Sequence, residues 1–299
     1  MPAAQVNWLA PRSTRELVSD SSQVANLLLR LYQYLPASLM ERRDRKHDAL
    51  KAIAASSSTV LDRRLLQELA ARQNALLDAL RSLGYTPVPG TRLKLTSNLT
   101  CGLSTPNLVE RGMTLARPHG VPVIPGSSVK GAVAAHLAEI LAGELHLSNP
   151  ERDRALKEAG LLELFGYAAE GGERGKAGEA VFFDALPEAA TLQVDITTPH
   201  HARYYQGKEA AATGFETPNP LPFLTVAEGS VFQFPIAVKP GAGWRAPAEA
   251  ARSRLGKFEI LKFGTAGEFL SDALASTGRY KGFGAQTNVG FGRFVRAEA

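Results

Sequence analysis

Apolar residues recur every three or four positions over the first quarter of the chain, and from Ser13 to Leu83 this period predicts helices. Leu27, Leu28, Leu31, Tyr34 and Leu35 share one face, and Pro36 ends that segment. Ser38 is placed to cap a second helix, which carries Arg42, Arg43, Arg45 and Lys46, and serines 56–58 break it. A third helix is predicted over Thr59–Leu83, with Leu61, Leu65, Leu69, Leu76 and Leu80 on one side and Gly84 as its stop. The basic cluster offers contact with a phosphate backbone, but the preferred reading is a solvated face, because Glu41, Asp44 and Asp48 interleave with it.

The pattern changes at Tyr85–Gly90, where two prolines and a glycine mark a boundary. The expected organisation is a helical segment over 1–84 and a second domain over 85–299. Thr91–Thr100 alternates, with Leu93, Leu95 and Leu99 against Arg92, Lys94 and Thr96, as a half-buried strand does. Two prolines force extended backbone over Val121–Pro125. Gly126 then turns the chain, and Ser127 or Ser128 caps a helix whose apolar face is Val129, Val133, Leu137, Ile140 and Leu141. A helix ends over Leu161–Tyr167, and Glu170–Glu179 reads as an exposed loop. Ala180–Leu186 reads as a buried strand and Thr191–Thr197 as another, followed by an irregular stretch to Phe223. One or two strands follow between Val226 and Val238, then helical pieces over Arg252–Thr265 and Gly267–Leu274, then a last strand, Gly292–Arg296. Without the front end and the loops this leaves strand, helix, strand, strand, helix, strand. That order predicts an α+β, ferredoxin-like (RRM-like) domain with inserted loops, whose open sheet face is a common surface for single-stranded RNA.

Composition changes this picture in few places. At 299 residues and 44% hydrophobic content the chain suits one or two soluble domains. No apolar run is long enough to span a bilayer, and the first eleven residues lack a basic-then-apolar signal pattern, so no membrane is expected. The single cysteine, Cys101, excludes an intrachain disulfide and a cysteine-based metal cluster, and fits a reducing, cytoplasmic setting. The net charge is +5, and from Lys239 onward ten Lys/Arg stand against five Asp/Glu. The excess therefore collects at the glycine-rich end and points to an anionic partner.

That end, Gly278–Phe294, interleaves five glycines with four aromatics and the cations Arg279, Lys281 and Arg293. Successive amides in such a turn can form an anion-binding nest, and aromatics beside cations suit a strand of stackable bases. A flexible hairpin without a ligand is the competing reading. The helix start at Ser127, Ser128, Lys130 and Gly131 makes a second offer to phosphate, against the reading of an ordinary capped helix. Neither stretch is a Walker A loop or a dinucleotide fingerprint, since serine precedes lysine in the first and no third glycine opens a helix in the second.

Ile124–Gly131 resembles the first-helix signature of the RAMP superfamily, the repeat-associated proteins of CRISPR effector complexes, and Gly282–Gly292 resembles its carboxy-terminal glycine-rich loop. Ala180–Pro187, Val194–His201 with Tyr204 and Tyr205, and Pro218–Val226 resemble the sixth-subunit branch of the type III-B (Cmr) complexes. The resemblance covers about residues 91–296. It implies a crRNA-binding structural subunit near the 3′ end of the guide, without a cofactor. The implied partners are the backbone RAMP subunit, the small helical subunit, the terminal RAMP subunit and, through the complex, target RNA. It implies that Ser127, Ser128, Lys130 and Gly131 meet the RNA backbone from one side. Gly282, Phe283, Gly284, Gln286, Thr287 and Asn288 would meet it from the other. Arg279 and Lys281 would add charge, and Tyr280 or Phe283 would pack on sugar or base. Gln286 stands where family loops often carry lysine, so only a neutral hydrogen bond is expected there. The two signature stretches are expected to meet in one cradle.

Catalysis has candidates as well. His200 and His201 sit beside Tyr204, Tyr205 and Lys208, and histidine suits general acid–base work near neutral pH. A stand-alone, metal-independent endoribonuclease is the alternative this supports. A packing or RNA-contact role for His200 is the preferred reading. Adjacent histidines alone supply too few ligands for a metal. The resemblance also implies that an aspartate after the first strand would cut target RNA. Ser97–Glu110 has no aspartate and only Glu110 as a carboxylate, so no cleavage by this chain is expected.

Overall fold

The computed structural model describes residues 24–35, 43–103, 111–168, 175–198, 204, 206–208, 210–212, 220–257 and 261–298. The chain divides into two compact units. One is formed by Met1–Asp62, Thr100–Pro122 and Thr191–Ala227, the other by Arg63–Leu99, Val123–Ala190 and Glu228–Ala299.

In the first unit, helix α1 (Leu27–Tyr32) is capped by the Asn26 side chain, whose Oδ1 accepts from the Leu28 and Leu29 amides. Tyr34 and Leu35, expected within the helix, lie beyond it but are still buried. Helix α2 (Arg43–Ala55) packs on an antiparallel hairpin of Leu192–Thr197 with Leu221–Val226. The second hairpin strand thus begins within what reads as an irregular stretch, and Ser38 lies outside the described residues. The break at the serines falls at Ser56, and Ser57–Val60 forms one separate turn. Ser57 Oγ accepts the Leu192 amide at 2.9 Å, a tertiary bond that sequence periodicity cannot register.

The next helix of the chain, α3 (Arg63–Ser82) of the second unit, therefore starts four residues later than Thr59. Its buried positions are Leu66, Leu69 and Gln73, and Leu76 is exposed, so the packed stripe is rotated from the one the leucines suggest. Gly84 ends it as expected, with the Tyr85 amide donating back to Leu80 O.

The second unit is built on four short strands, β1 (Arg92–Leu95), β2 (Leu186–Ala189), β3 (Val231–Gln233) and β4 (Phe294–Arg296). They pair antiparallel in the order β4-β1-β3-β2. Helix α4 (Gly126–Ala142) lies between β1 and β2 in the chain. After it come α5 (Asn149–Glu158), α6 (Glu249–Gly256) and α7 (Ala266–Tyr280), the last between β3 and β4. This is the β-α-β-β-α-β order that the pattern predicts. A separate three-stranded sheet joins Thr86–Pro87, Ile236–Val238 and Ala180–Phe182. The run read as one buried strand over Ala180–Leu186 is therefore divided between two sheets, and its Val181 and Phe182 are only half-buried.

Register explains the core. Leu93 stands opposite Phe232 and Leu95 opposite Phe294, so one face of the four-stranded sheet is apolar. Phe232, Phe234, Phe283 and Phe294 pack edge to face or tilted, with centroids 5.1–6.5 Å apart. Val129, Val133, Leu137, Ile140 and Leu141 of α4 are all buried, as their spacing predicts. On the opposite sheet face Lys94 stands between Val231 and Val295, and Arg92 pairs with Glu188 at 2.8 Å. Among the described residues, that face offers no aromatic ring on which a base could stack. None of the described helices is long and apolar enough to cross a membrane.

Candidate nucleic-acid interface

The start of α4 is fixed by a β-bridge between Ile124 and Ala185 and by the extended Pro125. Neither serine caps it. Pro125 holds the cap position, its carbonyl accepts the Ser128 and Val129 amides, and Ser127 and Ser128 lie exposed in the first turn. The side-chain cap comes from elsewhere: Asp184 Oδ1 accepts the Gly126 amide at 2.9 Å. A carboxylate thus already occupies the electropositive helix end that would attract phosphate. Gly126 does not turn the chain either. A Cβ there would lie 2.4 Å from Phe182 O, so glycine permits the helix to approach the strand.

Lys130 lies one turn further on. It opens, half-buried, on a hollow of about 520 Å³ together with Ser127, Gly131, Arg152, Tyr167 and Lys176. Burial lowers the Lys130 pKa, and the nearby charges of Lys239 and Arg152 lower it further. Arg152 is paired with Asp153, and Lys176 with Glu163. Among the described residues Lys130 has no carboxylate partner. Its ammonium is therefore short of negative charge, a deficit an incoming phosphate would make good. Sequence reasoning missed Arg152 and Lys239. The first is hidden in the alternating run Glu151–Arg154, and the second stands alone before the Pro240–Gly241 turn.

The glycine-rich end is arranged differently from its composition. Helix α7 runs six residues beyond Leu274, so Gly278, Arg279 and Tyr280 are helical and Lys281 is its C-cap. Gly278 is a packing glycine, since a Cβ there would come within 3.0 Å of the Phe294 Cβ. Phe283 is a core residue, 1% exposed within the phenylalanine cluster, and is not available to sugar or base. Gly282, Gly284, Gly290 and Gly292 have positive φ, as does Gln286 at 57°, and Thr287–Val289 forms one 3-10 turn. The cations of this segment are engaged internally. Lys281 Nζ donates to Glu139 Oε1 at 2.6 Å, and Arg293 donates to the carbonyls of Tyr280 and Thr287. Arg279 lies over the Tyr280 ring, 5.4 Å from its centroid. Exposed on this segment are Arg279, Tyr280, Gly284, Asn288, Val289 and Gly290.

The two stretches do not form one cradle. The Lys130 hollow uses positions 127, 130, 131 and 134 of α4, whereas the turn packs on positions 136, 139, 140 and 143. At 3.6 residues per turn those sets lie about half a turn apart around the helix, and Ser127 and Glu139 are ~18 Å apart along it. His200, His201, Tyr205 and Glu110 lie outside the described residues.

The sequence profile of the RAMP superfamily matches residues 92–295. The chain belongs to the RAMP superfamily. Its match takes in both signature stretches and, but for Arg296, the four strands of the β4-β1-β3-β2 sheet. Among individual RAMP relatives, the chain is 30% identical over 252 residues to the CRISPR system Cmr subunit Cmr6 of Pyrococcus furiosus. That alignment covers 68% of this chain and spans 66% of the relative's length. The fold also matches a chain in the cryo-EM structure of the type III-B Cmr-beta bound to cognate target RNA. The TM-score is 0.55 at 20% identity, over 86% of this chain and 71% of that one. The crystal structure of Cmr6 from Pyrococcus furiosus aligns at 24% identity with a TM-score of 0.38, over 72% of this chain and 98% of that one.

Proposed function

We propose that this RAMP chain is a crRNA-binding, non-catalytic structural subunit of a type III-B CRISPR effector complex, placed toward the 3′ end of the guide. The sequence likeness to Cmr6 supports the choice of subunit. Its partners are then the backbone RAMP subunit, the small helical subunit and, through the guide, target RNA. The observation that carries RNA binding is Lys130, half-buried near the like charges of Arg152 and Lys239 and without a carboxylate partner among the described residues. A phosphodiester entering that hollow relieves the repulsion and gains a charge-assisted hydrogen bond. Ser127 and Gly131 border the path, and Gly131 leaves room for close approach because nothing lies within 4 Å of its would-be Cβ.

Titrating crRNA binding against salt tests this reading. Lys130→Ala and Arg152→Ala should weaken binding alike for all sequences and each lower the salt slope by about 1. An affinity indifferent to salt and to both changes refutes the reading. Cleavage of a repeat hairpin by the isolated chain in chelator would instead establish the endoribonuclease.

A further inference from the structure

Helix α3 buries one side and leaves apolar residues uncovered on another. Leu66, Leu69 and Gln73 are buried, and Leu65 and Leu80 are half-buried at the margin. Leu76 is 39% exposed and Leu83, in the turn that closes the helix, 70%. At about 100° per residue, Leu65, Leu76 and Leu83 fall within ~20° of one another around the axis, with Arg72 and Ala79 beside them, and the strip runs ~27 Å along it. Part of the leucine stripe that periodicity assigns to a core therefore faces outward, as contact surfaces for other proteins do. The neighbouring charges restrict what can cover it. Glu68 and Asp78, the carboxylates of α3, are taken by Arg64 and Arg81 at 3.2 and 2.5 Å. Arg72 is exposed and has no partner among the described residues. A strand of phosphates would meet one free cation among leucines and give up its hydration there. A second copy of α3 would bring leucines but no free carboxylate for Arg72. A helix of a different chain meets both needs: its own backbone is satisfied, small Ala79 admits it closely, and a carboxylate on it completes Arg72.

We infer that this face of α3 docks an amphipathic helix of another protein chain, one that sets aliphatic side chains against Leu76 and Leu83 and a carboxylate against Arg72. None of the residues around the Lys130 hollow belongs to α3, so the contact does not rest on RNA binding.

The test replaces Ala79 of the full chain by p-benzoylphenylalanine, irradiates the cells the protein comes from, and maps the adduct by mass spectrometry. The same replacement at exposed Asn74, about 140° away around the helix, is the control. Position 79 should join a helix of a different protein that carries aliphatic and acidic residues at three- and four-residue spacing. Arg72→Glu should cut the adduct about tenfold, and a lysine in place of the partner's carboxylate should restore it. Leu76→Asp should cut it as well. Arg72 is exposed, so Arg72→Glu should melt like wild type and keeps the test independent of folding. The adduct should persist in Lys130→Ala, so a failed RNA reading leaves this contact standing. An adduct with RNA, with a second copy or with another part of the same chain overturns the inference. So does a yield at position 79 no higher than at position 74, or one indifferent to Arg72→Glu.

Discussion

Lys281 Nζ lies 2.6 Å from Glu139 Oε1, a bond that ties the end of α7 to the last turns of α4 across 142 positions of sequence. The side chains are 29% and 10% exposed, so the carboxylate is the more deeply committed partner. Removing the lysine leaves that carboxylate buried without its charge-assisted donor. Lys281→Met should cost about 2 kcal/mol in urea unfolding, and Glu139→Gln in the same chain should recover part of it. RNA affinity per folded molecule should change little, in contrast to Lys130→Ala. Equal loss of affinity in both variants would show that Lys281 leaves Glu139 to meet phosphate.

Two glycines of the helix-start signature should respond oppositely to alanine. At Gly131 the space is open and the backbone is helical, so Gly131→Ala should stabilise the fold by ~0.5–1 kcal/mol. At Gly126 the new methyl would meet the Phe182 and Phe183 backbone at 2.4–2.9 Å, and the variant should lose ~1–3 kcal/mol. Thermal melts of the two proteins check the signs. A Gly131→Ala protein that melts higher yet binds RNA more weakly would locate the strand close to that backbone.

His136 makes stability depend on pH. Its folded pKa is about 4 against the usual 6.5, because burial and Lys281 disfavour the imidazolium while Glu139 only partly offsets them. The native state therefore binds fewer protons than the unfolded chain between those values. The stability from the neutral ring is fully present above pH 6.5 and is lost as pH falls toward 4, by about 3 kcal/mol at most. His136→Gln, which keeps a polar group near Ser276 Oγ, should flatten the fall in urea midpoint over that window relative to wild type. Parallel slopes for the two proteins would refute the assignment.

The sheet and the apolar face of α4 were legible because each depends on local period: Leu93 and Leu95 alternate, and Val129 to Leu141 repeat at helical spacing. The roles of individual residues in the candidate site were not. Gly278 reads as a loop residue until Phe294 is seen to pack against it, and only then does the helix extend to Tyr280. Phe283, flanked by glycines, reads as exposed, yet Phe234 and Phe294 enclose it. Lys281 looks like free charge until Glu139, 142 positions away, is found to accept from it, and Arg293 until the chain folds the Tyr280 and Thr287 carbonyls onto it. Each of these misreadings concerns a contact across the fold, where composition carries no signal.

Asp184 gives the sharpest separation of stability from binding. Its carboxylate accepts the Gly126 amide from 58 positions away and sets a negative charge at the start of the helix that carries Lys130. The bond stabilises the helix end as a side-chain cap does, so Asp184→Ala should cost ~0.5–2 kcal/mol. The same change removes a charge that repels phosphate and frees an amide at the positive end of the helix dipole. RNA binding by the folded variant should therefore tighten, most visibly at low salt where the repulsion is least screened. Asp184→Asn, which keeps a hydrogen-bond acceptor, should lose less stability and show the same gain. If both variants bind RNA more weakly than wild type at matched folded fraction, the strand does not pass the α4 start, and the Lys130 hollow serves some other anion.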